Sequence, residues 1–307
     1  MRVFIAGGTG TLGRPTIRLL RAAGHEVHAL ARTAERCAPL RELGAEPVVG
    51  DLFDLRAMTE TLAGMDAVLH LATRIPPLAQ MRKLAAWRDN DRLRSQGASV
   101  LVSAAIAAKA KIYLQESITF LYQSMGDTQL FETAPLDAPQ PLASAREAER
   151  ETARFTARGG QGIVLRFGAF YGPDAPSTRD TVKLARRRLF PIIGSGDHYF
   201  SSIQVDDAAA AVVAALAIPG GVYNVVDDEP MPMRDYMAAF TSAFGFKPAW
   251  HLPLWLARVL LGSGTDALTR SQRVNNTMFK AVAAWTPKYP SVRQGWPAVA
   301  AAFRARN

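Results

Sequence analysis

The feature that most constrains this chain is a glycine-rich turn between an apolar run and a helical pattern. Residues 3–13 read VFIAGGTGTLG, with glycines at positions 7, 8, 10 and 13. Glycine permits the tight turn, lets a ligand approach the backbone, and lets the helix pack closely on the strand. The free amides at the start of the helix attract phosphate groups. The turn therefore predicts a dinucleotide site, with contacts at Gly7, Gly10, Thr11, Leu12 and Gly13.

Short apolar runs alternate with longer helical patterns, which predicts a parallel sheet with crossover helices. The predicted strands are residues 2–6, 26–31, 46–49, 67–71, 112–115 and 162–167. The predicted helices are residues 11–23, 54–63, 84–108 and 143–158. We therefore predict an α/β, Rossmann-type doubly wound parallel sheet over residues 1–170. Residues 171–307 would form a smaller mixed α/β lobe for the substrate, with some sheet elements returning to the core.

The end of the second predicted strand bears on which dinucleotide binds. Proteins that prefer NAD place a carboxylate here to bind the ribose hydroxyls. This chain instead has Arg32 directly after the strand and Arg36 one helical turn later. Two guanidinium groups can hold a 2′-phosphate by charge-assisted hydrogen bonds. The sequence thus favours NADP(H) over NAD(H), the alternative being that both arginines are merely solvated.

Two further segments fit the path of the cofactor along the carboxyl edge of the sheet. Asp51 and Leu52 follow the third predicted strand, where the aspartate can meet the adenine amino group. The fourth strand runs into Leu71, Ala72 and Thr73, at the edge where ligands of doubly wound folds bind. We expect all five residues to contact the cofactor.

Composition limits the other classes of function. The 307 residues carry a net charge of +9, and the one dense basic cluster is Lys183 with residues 186–188. A solvated helix face explains this cluster, so no nucleic-acid partner is predicted. The single cysteine, Cys37, excludes internal disulfides and favours a cytoplasmic location. Neither a secretion signal nor an apolar stretch of membrane length is visible, so no membrane partner is predicted. No metal site is predicted either.

Several motifs beyond the glycine turn carry a resemblance to a known family. They are residues 50–52 (GDL), 69–72 (LHLA), 165–173 (LRFGAFYGP), 203–207 (IQVDD) and 222–225 (VYNV). Together they resemble the extended short-chain dehydrogenases/reductases, the NAD-dependent epimerase/dehydratase group. The resemblance implies a Rossmann domain with a small C-terminal substrate lobe, and a nicotinamide dinucleotide with Phe167 among its contacts. Relatives are often dimers, so a homodimer is one expected state.

The catalytic pattern of that family is only partly present. Its members carry a Ser or Thr after the fifth strand and a Tyr-x-x-x-Lys on the next helix, where the Tyr is the general acid/base. Ser117 matches the first position. Alignment on Glu149 puts Pro141 in place of the Tyr and Ala145 in place of the Lys, and no Tyr-x-x-x-Lys occurs elsewhere. The candidate catalytic residues are therefore Ser117 and, as a replacement acid, Tyr122, for which a structural role is the alternative.

These departures leave three functions open. The leading interpretation is an atypical NADP(H)-dependent oxidoreductase that acts on a small, fairly apolar carbonyl or alcohol. An apolar stripe that includes Trp250, Leu254 and Trp255 is either core or the lining of a lid over such a substrate. The alternatives are a catalytically silent NADP(H)-binding sensor, favoured by the missing Tyr and Lys, and a redox-neutral epimerase or dehydratase that recycles its cofactor.

Overall fold

The computed structural model describes residues 1–77, 80, 81, 83–261 and 264–305. Strands are numbered along the chain, and those of the central sheet are β1 (Arg2–Ala6), β2 (Glu26–Ala31), β3 (Glu46–Val49), β4 (Ala67–His70), β5 (Ile112–Ile118), β7 (Gln161–Phe167) and β12 (Gly221–Val225). Their order in the sheet is β12-β7-β5-β4-β1-β2-β3, and every neighbouring pair is parallel. This topology confirms the predicted α/β, Rossmann-type fold.

Helices cover the sheet and build the C-terminal part of the chain. They are α1 (Gly13–Ala22), α2 (Cys37–Glu42), α3 (Leu55–Leu62), α4 (Arg88–Arg92), α5 (Ala98–Ala107), α6 (Ala143–Ala157), α7 (Pro176–Arg186), α8 (Val205–Ala214), α9 (Met233–Phe244), α10 (Leu254–Leu261), α11 (Gly264–Leu268), α12 (Thr277–Ala283) and α13 (Val292–Arg304). In the part of the chain that the structure describes, none of the helices has the length and hydropathy needed to cross a membrane.

Alternate residues of the central strands pack on opposite faces of the sheet. In β1, Val3 and Ile5 join a core that includes residues of α1 and α8. Phe4, between them, joins a second core with residues of α3 and α5. Because both faces are covered, the strands are apolar nearly throughout, as parallel strands of doubly wound folds are.

Four two-stranded sheets lie outside the central sheet and contribute to the C-terminal lobe. The pairs are β6 (Gln129–Leu130) with β15 (Arg273–Val274), β8 (Ala169–Tyr171) with β11 (Ser202–Gln204), β9 (Ile192–Ile193) with β14 (His251–Leu252), and β10 (Tyr199–Phe200) with β13 (Met231–Pro232). Aromatic side chains around Trp296 fill the lobe, among them Tyr171 and Phe240. The second half of the chain also supplies β12 and α8 to the Rossmann layers, so the two parts share one sheet.

The long helix predicted over residues 84–108 is more irregular than the sequence pattern indicates. It begins as a 3-10 turn at Leu84–Trp87, and a π-helical stretch at Leu93–Gly97 separates α4 from α5. Such a stretch keeps the chain helical, so the residues on both sides of it still show a helical pattern. For that reason the sequence shows a single helix here.

Candidate cofactor and active site

The glycine turn connects β1 to α1 at the carboxyl edge of the sheet. Gly7 has a φ of +99°, and a Cβ there would lie 2.6 Å from the backbone of Leu71 and Ala72. A Cβ on Gly13 would collide with the carbonyl oxygen of Gly7. The same oxygen accepts a hydrogen bond from the Gly10 amide at 2.9 Å. Any larger residue at position 7 or 13 would therefore displace the turn, and the two glycines keep the backbone open to a ligand.

The start of α1 offers amide groups to that ligand. Leu12 occupies the N-cap position, and its apolar side chain has no atom that can accept a hydrogen bond. The first amides of a helix have no acceptor within the helix. Here the Arg14 amide donates to the Gly10 carbonyl oxygen at 3.2 Å, and Pro15 has no amide hydrogen. The amides of Leu12 and Gly13, which have no acceptor among the described residues, are the ones available to a ligand. Gly10 is exposed and Thr11 is half-buried beside them. This part of the structure fits the pyrophosphate of a dinucleotide.

Arg32 and Arg36 lie at the adjacent strand end. β2 pairs with β1 in parallel register, so Arg32, directly after β2, comes to the same edge as the glycine turn. Arg36 ends the short 3-10 turn that follows. Both side chains are exposed and can reach a phosphate group outside the sheet.

The remaining predicted cofactor contacts differ in exposure. Asp51 and Thr73 are exposed after β3 and β4, as a contact with a ligand requires. Leu52 and Phe167 have exposed fractions of 5% and 0%, so their side chains belong to the core. Contacts of these two residues with a cofactor stay predictions.

Ser117, near the end of β5, belongs to a buried network of polar side chains. Its hydroxyl donates a hydrogen bond of 2.6 Å to Glu149 of α6. The Glu149 carboxylate also forms a bidentate ion pair with Arg166 of β7, with nitrogen–oxygen distances of 2.8 and 2.7 Å. Burial opposes the charge on Arg166, but the bonds to Glu149 raise the pKa of the guanidinium overall. Ser117 is fully buried, so its hydroxyl faces this ion pair and not the open edge of the sheet.

Tyr122 completes the same network. Its hydroxyl accepts a hydrogen bond of 2.9 Å from Arg166 and donates one of 2.7 Å to Asn224 of β12. Burial raises the pKa of this hydroxyl, although Arg166 opposes the shift. Ser117, Arg166 and Asn224 are in register across three neighbouring strands. The network therefore ties β5, β7 and β12 together, which is the arrangement expected of a structural Tyr122.

The two positions that the alignment on Glu149 assigns to the Tyr and Lys of the family are Pro141 and Ala145. Pro141 lies in the short turn Gln140–Leu142, and Ala145 is buried in the first turn of α6. Between them, Ser144 donates a hydrogen bond of 2.8 Å to Asp91 of α4. This part of α6 is thus occupied by packing and a helix–helix contact.

A buried ion pair lies beside Ser117, at the preceding residue of β5. The sequence did not predict it. Arg94, in the π-helical stretch, contacts a carboxylate oxygen of Glu116 in β5 at 2.6 Å, and both side chains are at most 5% exposed. Arg94 also donates a hydrogen bond to the Glu116 carbonyl oxygen at 3.4 Å. Burial raises the pKa of Glu116 and Arg94 lowers it. The available signal was a charged residue inside each of two largely apolar segments.

His70, at the end of β4, is a second buried polar group near the edge. Its Nδ1 lies 2.9 Å from the Gln115 side-chain oxygen, which also accepts a hydrogen bond of 3.0 Å from the Tyr113 hydroxyl. Its Nε2 has no hydrogen-bond partner among the described residues. Burial lowers the pKa of His70 to about 4, since desolvation disfavours the charged ring. The imidazole is therefore neutral near pH 7.

A cluster at the opposite edge of the sheet consists of Glu26, His28 and Glu46, which each offer one candidate metal ligand atom within 4.8 Å of the other two. His28 lies between two carboxylates, with Nε2 2.7 Å from Glu26 and Nδ1 3.6 Å from Glu46. The two carboxylates thus approach different nitrogens of the imidazole ring. This geometry suits hydrogen bonds to the imidazole.

Comparisons with known proteins agree with this geometry. The profile of the NAD dependent epimerase/dehydratase family matches residues 3–225. A 3-diazoavenalumate denitrifying reductase from a Streptomyces species is 35% identical over 305 residues, which cover 96% of this chain and 99% of the relative.

Two solved structures share the fold. The human epimerase family protein SDR39U1 with NADPH has a TM-score of 0.78 at 21% identity, covering 98% of this chain and 99% of that chain. The UDP-glucose 4-epimerase of Thermus thermophilus in complex with NAD has a TM-score of 0.79 at 22% identity, covering 100% of both chains. The family profile spans the glycine turn, the buried network and β12. This chain therefore belongs to the NAD-dependent epimerase/dehydratase family of extended short-chain dehydrogenases/reductases.

Proposed function

We propose that this protein is an NADPH-dependent reductase whose substrate accepts a hydride without a proton donor from the protein. The observation that carries the proposal is the pair Pro141 and Ala145, which puts no phenol and no amine where the family has its acid and its cation. Support for reductase chemistry comes from the relative that matches 96% of this chain and is named a reductase.

The cofactor edge supports the choice of NADPH. The glycine turn and the start of α1 would hold the pyrophosphate, and the exposed Arg32 and Arg36 would hold the 2′-phosphate. Asp51 and Thr73, both exposed along the same edge, would contact the rest of the dinucleotide. When bound, the cofactor would supply the hydride, and the protein would supply position and surroundings.

The side chains near the expected substrate site favour a substrate that can accept a hydride without a proton donor. Hydride transfer to a carbonyl leaves negative charge on oxygen, which calls for an acid within hydrogen-bond reach. Ser117 already donates to Glu149 at 2.6 Å, and the Tyr122 hydroxyl is held between Arg166 and Asn224. An aryl diazonium group is positively charged before the hydride transfer and neutral after it. No oxyanion forms, so the transfer needs no proton donor from the protein.

We infer a small aromatic diazo acid as the substrate class, since the 35% identical relative is named for 3-diazoavenalumate. The terminal nitrogen of the diazonium group accepts the hydride, which gives a neutral aryl diazene. The carbon–nitrogen bond of the diazene then breaks, N₂ leaves, and the proton of the N–H group moves to the ring carbon. One aryl diazonium ion and one NADPH thus give one arene, one N₂ and one NADP⁺. The protein's part is to hold the two reactants in contact.

The test is anaerobic incubation of the protein with NADPH and 3-diazoavenalumate, measured as NADPH consumed and N₂ released. We expect equal amounts of both, at a rate well above the reaction without protein. Gly13→Ala should abolish the added rate, because its Cβ would collide with the Gly7 carbonyl. Arg18→Ala is the control on the same helix, since the Arg18 side chain is exposed and lies more than one helical turn beyond Gly13.

Two results would contradict the proposal. Consumption of NADPH with ketones, but not with the diazo compound, would show that the substrate class is wrong. Tight NADPH binding without turnover of either would support the second candidate, a catalytically silent NADP(H) sensor, which the same two positions favour. A redox-neutral epimerase or dehydratase would instead retain its cofactor during purification and consume none.

A further inference from the structure

Helix α10 presents an apolar face to the outside of the C-terminal lobe. Trp255 and Val259, one helical turn apart, have exposed fractions of 68% and 74%. Ala257, on the other side of the helix, is fully buried and packs α10 on the lobe. A tryptophan this exposed is unusual on a protein surface that faces only water. The sequence had allowed this stripe to be either core or a lid lining, and the exposure of Trp255 shows that this residue is not part of the core.

Further exposed apolar side chains lie next to the pair of short strands that precedes α10 in the chain. β14, which leads into α10, pairs in parallel with β9. At the start of this pair the Trp250 indole donates a hydrogen bond of 2.9 Å to the Arg188 carbonyl oxygen. Trp250 is 41% exposed and the neighbouring Leu189 is 61% exposed. We refer to Leu189, Trp250, Leu254, Trp255 and Val259 as the apolar ridge.

A basic cluster borders the apolar ridge. Lys183 and Arg186 lie in the last turn of α7, Arg187 and Arg188 follow it, and all four side chains are exposed. None of the four forms an ion pair with any residue in the described ranges. Lys247 lines a shallow groove together with Arg188 and Trp250, which brings a fifth cation to the ridge. Exposed tryptophan and leucine therefore lie beside five positive charges.

We propose that the apolar ridge and the basic cluster bind an anionic phospholipid bilayer, on which the protein rests without crossing it. Tryptophan and leucine insert at the level of the lipid headgroups, while lysine and arginine contact lipid phosphates. The basic cluster selects an anionic surface over a second copy of this chain, because two copies of the same cluster would repel each other. This proposal replaces the expectation that the protein has no membrane partner.

Vesicle binding tests the proposal on the full-length protein. Sedimentation with phosphatidylcholine vesicles is compared with vesicles that also contain phosphatidylglycerol, at low and high salt. We expect binding to the anionic vesicles only, with a marked loss at high salt. Lys183→Glu with Arg186→Glu should weaken binding about tenfold or more, since each cation near an anionic surface contributes about fivefold. Trp255→Glu with Val259→Glu should abolish it.

Leu55→Glu is the matched control, because Leu55 is also about half exposed but lies on α3 of the Rossmann part. This variant should bind vesicles like the unmodified protein. All variants should bind NADPH unchanged, so a failure here is distinguishable from a failure of the proposed function. Equal binding of the unmodified protein and the Trp255/Val259 variant would overturn the proposal. So would a stable dimer that the Trp255/Val259 variant dissociates, since the ridge would then be an interface between copies.

Discussion

Single residues at the carboxyl edge determine which groups can be charged there. His70 is surrounded by the Gln115 side chain and the Tyr113 ring, and its Nε2 has no partner in the described part of the chain. Such a ring is stable in the fold only as the neutral form. The edge therefore contributes a neutral imidazole at physiological pH, while the buried guanidinium of Arg94 is paired with Glu116.

The buried His70 makes stability depend on pH in a defined window. Its pKa is about 4 in the folded protein, against 6.5 as the ordinary value. Between these values the unfolded state binds the proton and the folded state does not, so the free energy of unfolding falls as the pH falls. At pH 5 the loss relative to pH 8 is about 2 kcal/mol from this residue.

Urea unfolding at pH 8 and pH 5 measures this effect. In His70→Gln, which keeps a polar group next to Gln115, the loss on going to pH 5 should be smaller by about 2 kcal/mol. His251→Gln is the control, because His251 is exposed and its replacement should leave the pH dependence as it is. The same pH dependence in all three proteins would show that His70 is not buried as a neutral ring.

At the scale of elements, two buried polar groupings join the strands and helices around the candidate site. The Ser117–Glu149–Arg166 contacts connect β5, α6 and β7. The Arg94–Glu116 pair connects the π-helical stretch to β5. Ser117 and Glu116 are adjacent near the end of β5. This strand end is therefore bound to α6 through Glu149 and to the π-helical stretch before α5 through Arg94.

The Arg94–Glu116 pair should be costly to break on one side only. Arg94→Met leaves the Glu116 carboxylate buried without a cation, and we expect the free energy of unfolding to fall by about 3–5 kcal/mol. Arg94→Met combined with Glu116→Leu removes both charges and should recover most of that loss. Denaturant unfolding of the two variants measures the difference. Equal destabilisation by the single and the double change would mean that packing, and not charge, holds this contact.

The sequence predicted where the elements end better than where their side chains point. The spacing of apolar residues predicted the central strands and most helices of the first half, because both depend on nearby residues. It did not predict α2 or the π-helical stretch before α5. The direction of the Ser117 hydroxyl depends instead on Glu149 of α6, which Arg166 of β7 holds in place, and both residues lie far from Ser117 along the chain. The glycine turn was predictable because its constraint is local: Gly7, Gly10 and Gly13 contact one another.

At the scale of the whole molecule, the site depends on strands from both halves of the chain. The cofactor edge is formed by β1, β2, β3 and β4 from the first half, whereas the buried network needs β12 from the second. The exposed helix α10 lies on the lobe that β12, α8 and the short strand pairs connect to the sheet. The sequence indicated that elements return to the sheet, but the looser pattern after residue 171 did not define the strands of the lobe.

The most direct test of this account is calorimetric titration with NADPH and with NADH. We predict that NADPH binds more tightly than NADH, and that Arg32→Ala with Arg36→Ala weakens NADPH binding about 10- to 100-fold while NADH binding stays unchanged. Arg41→Ala is the control, since Arg41 is exposed on α2 and has no assigned role at the cofactor edge. If neither dinucleotide binds to a protein that circular dichroism shows to be folded, the cofactor site and the proposed reductase activity are both contradicted.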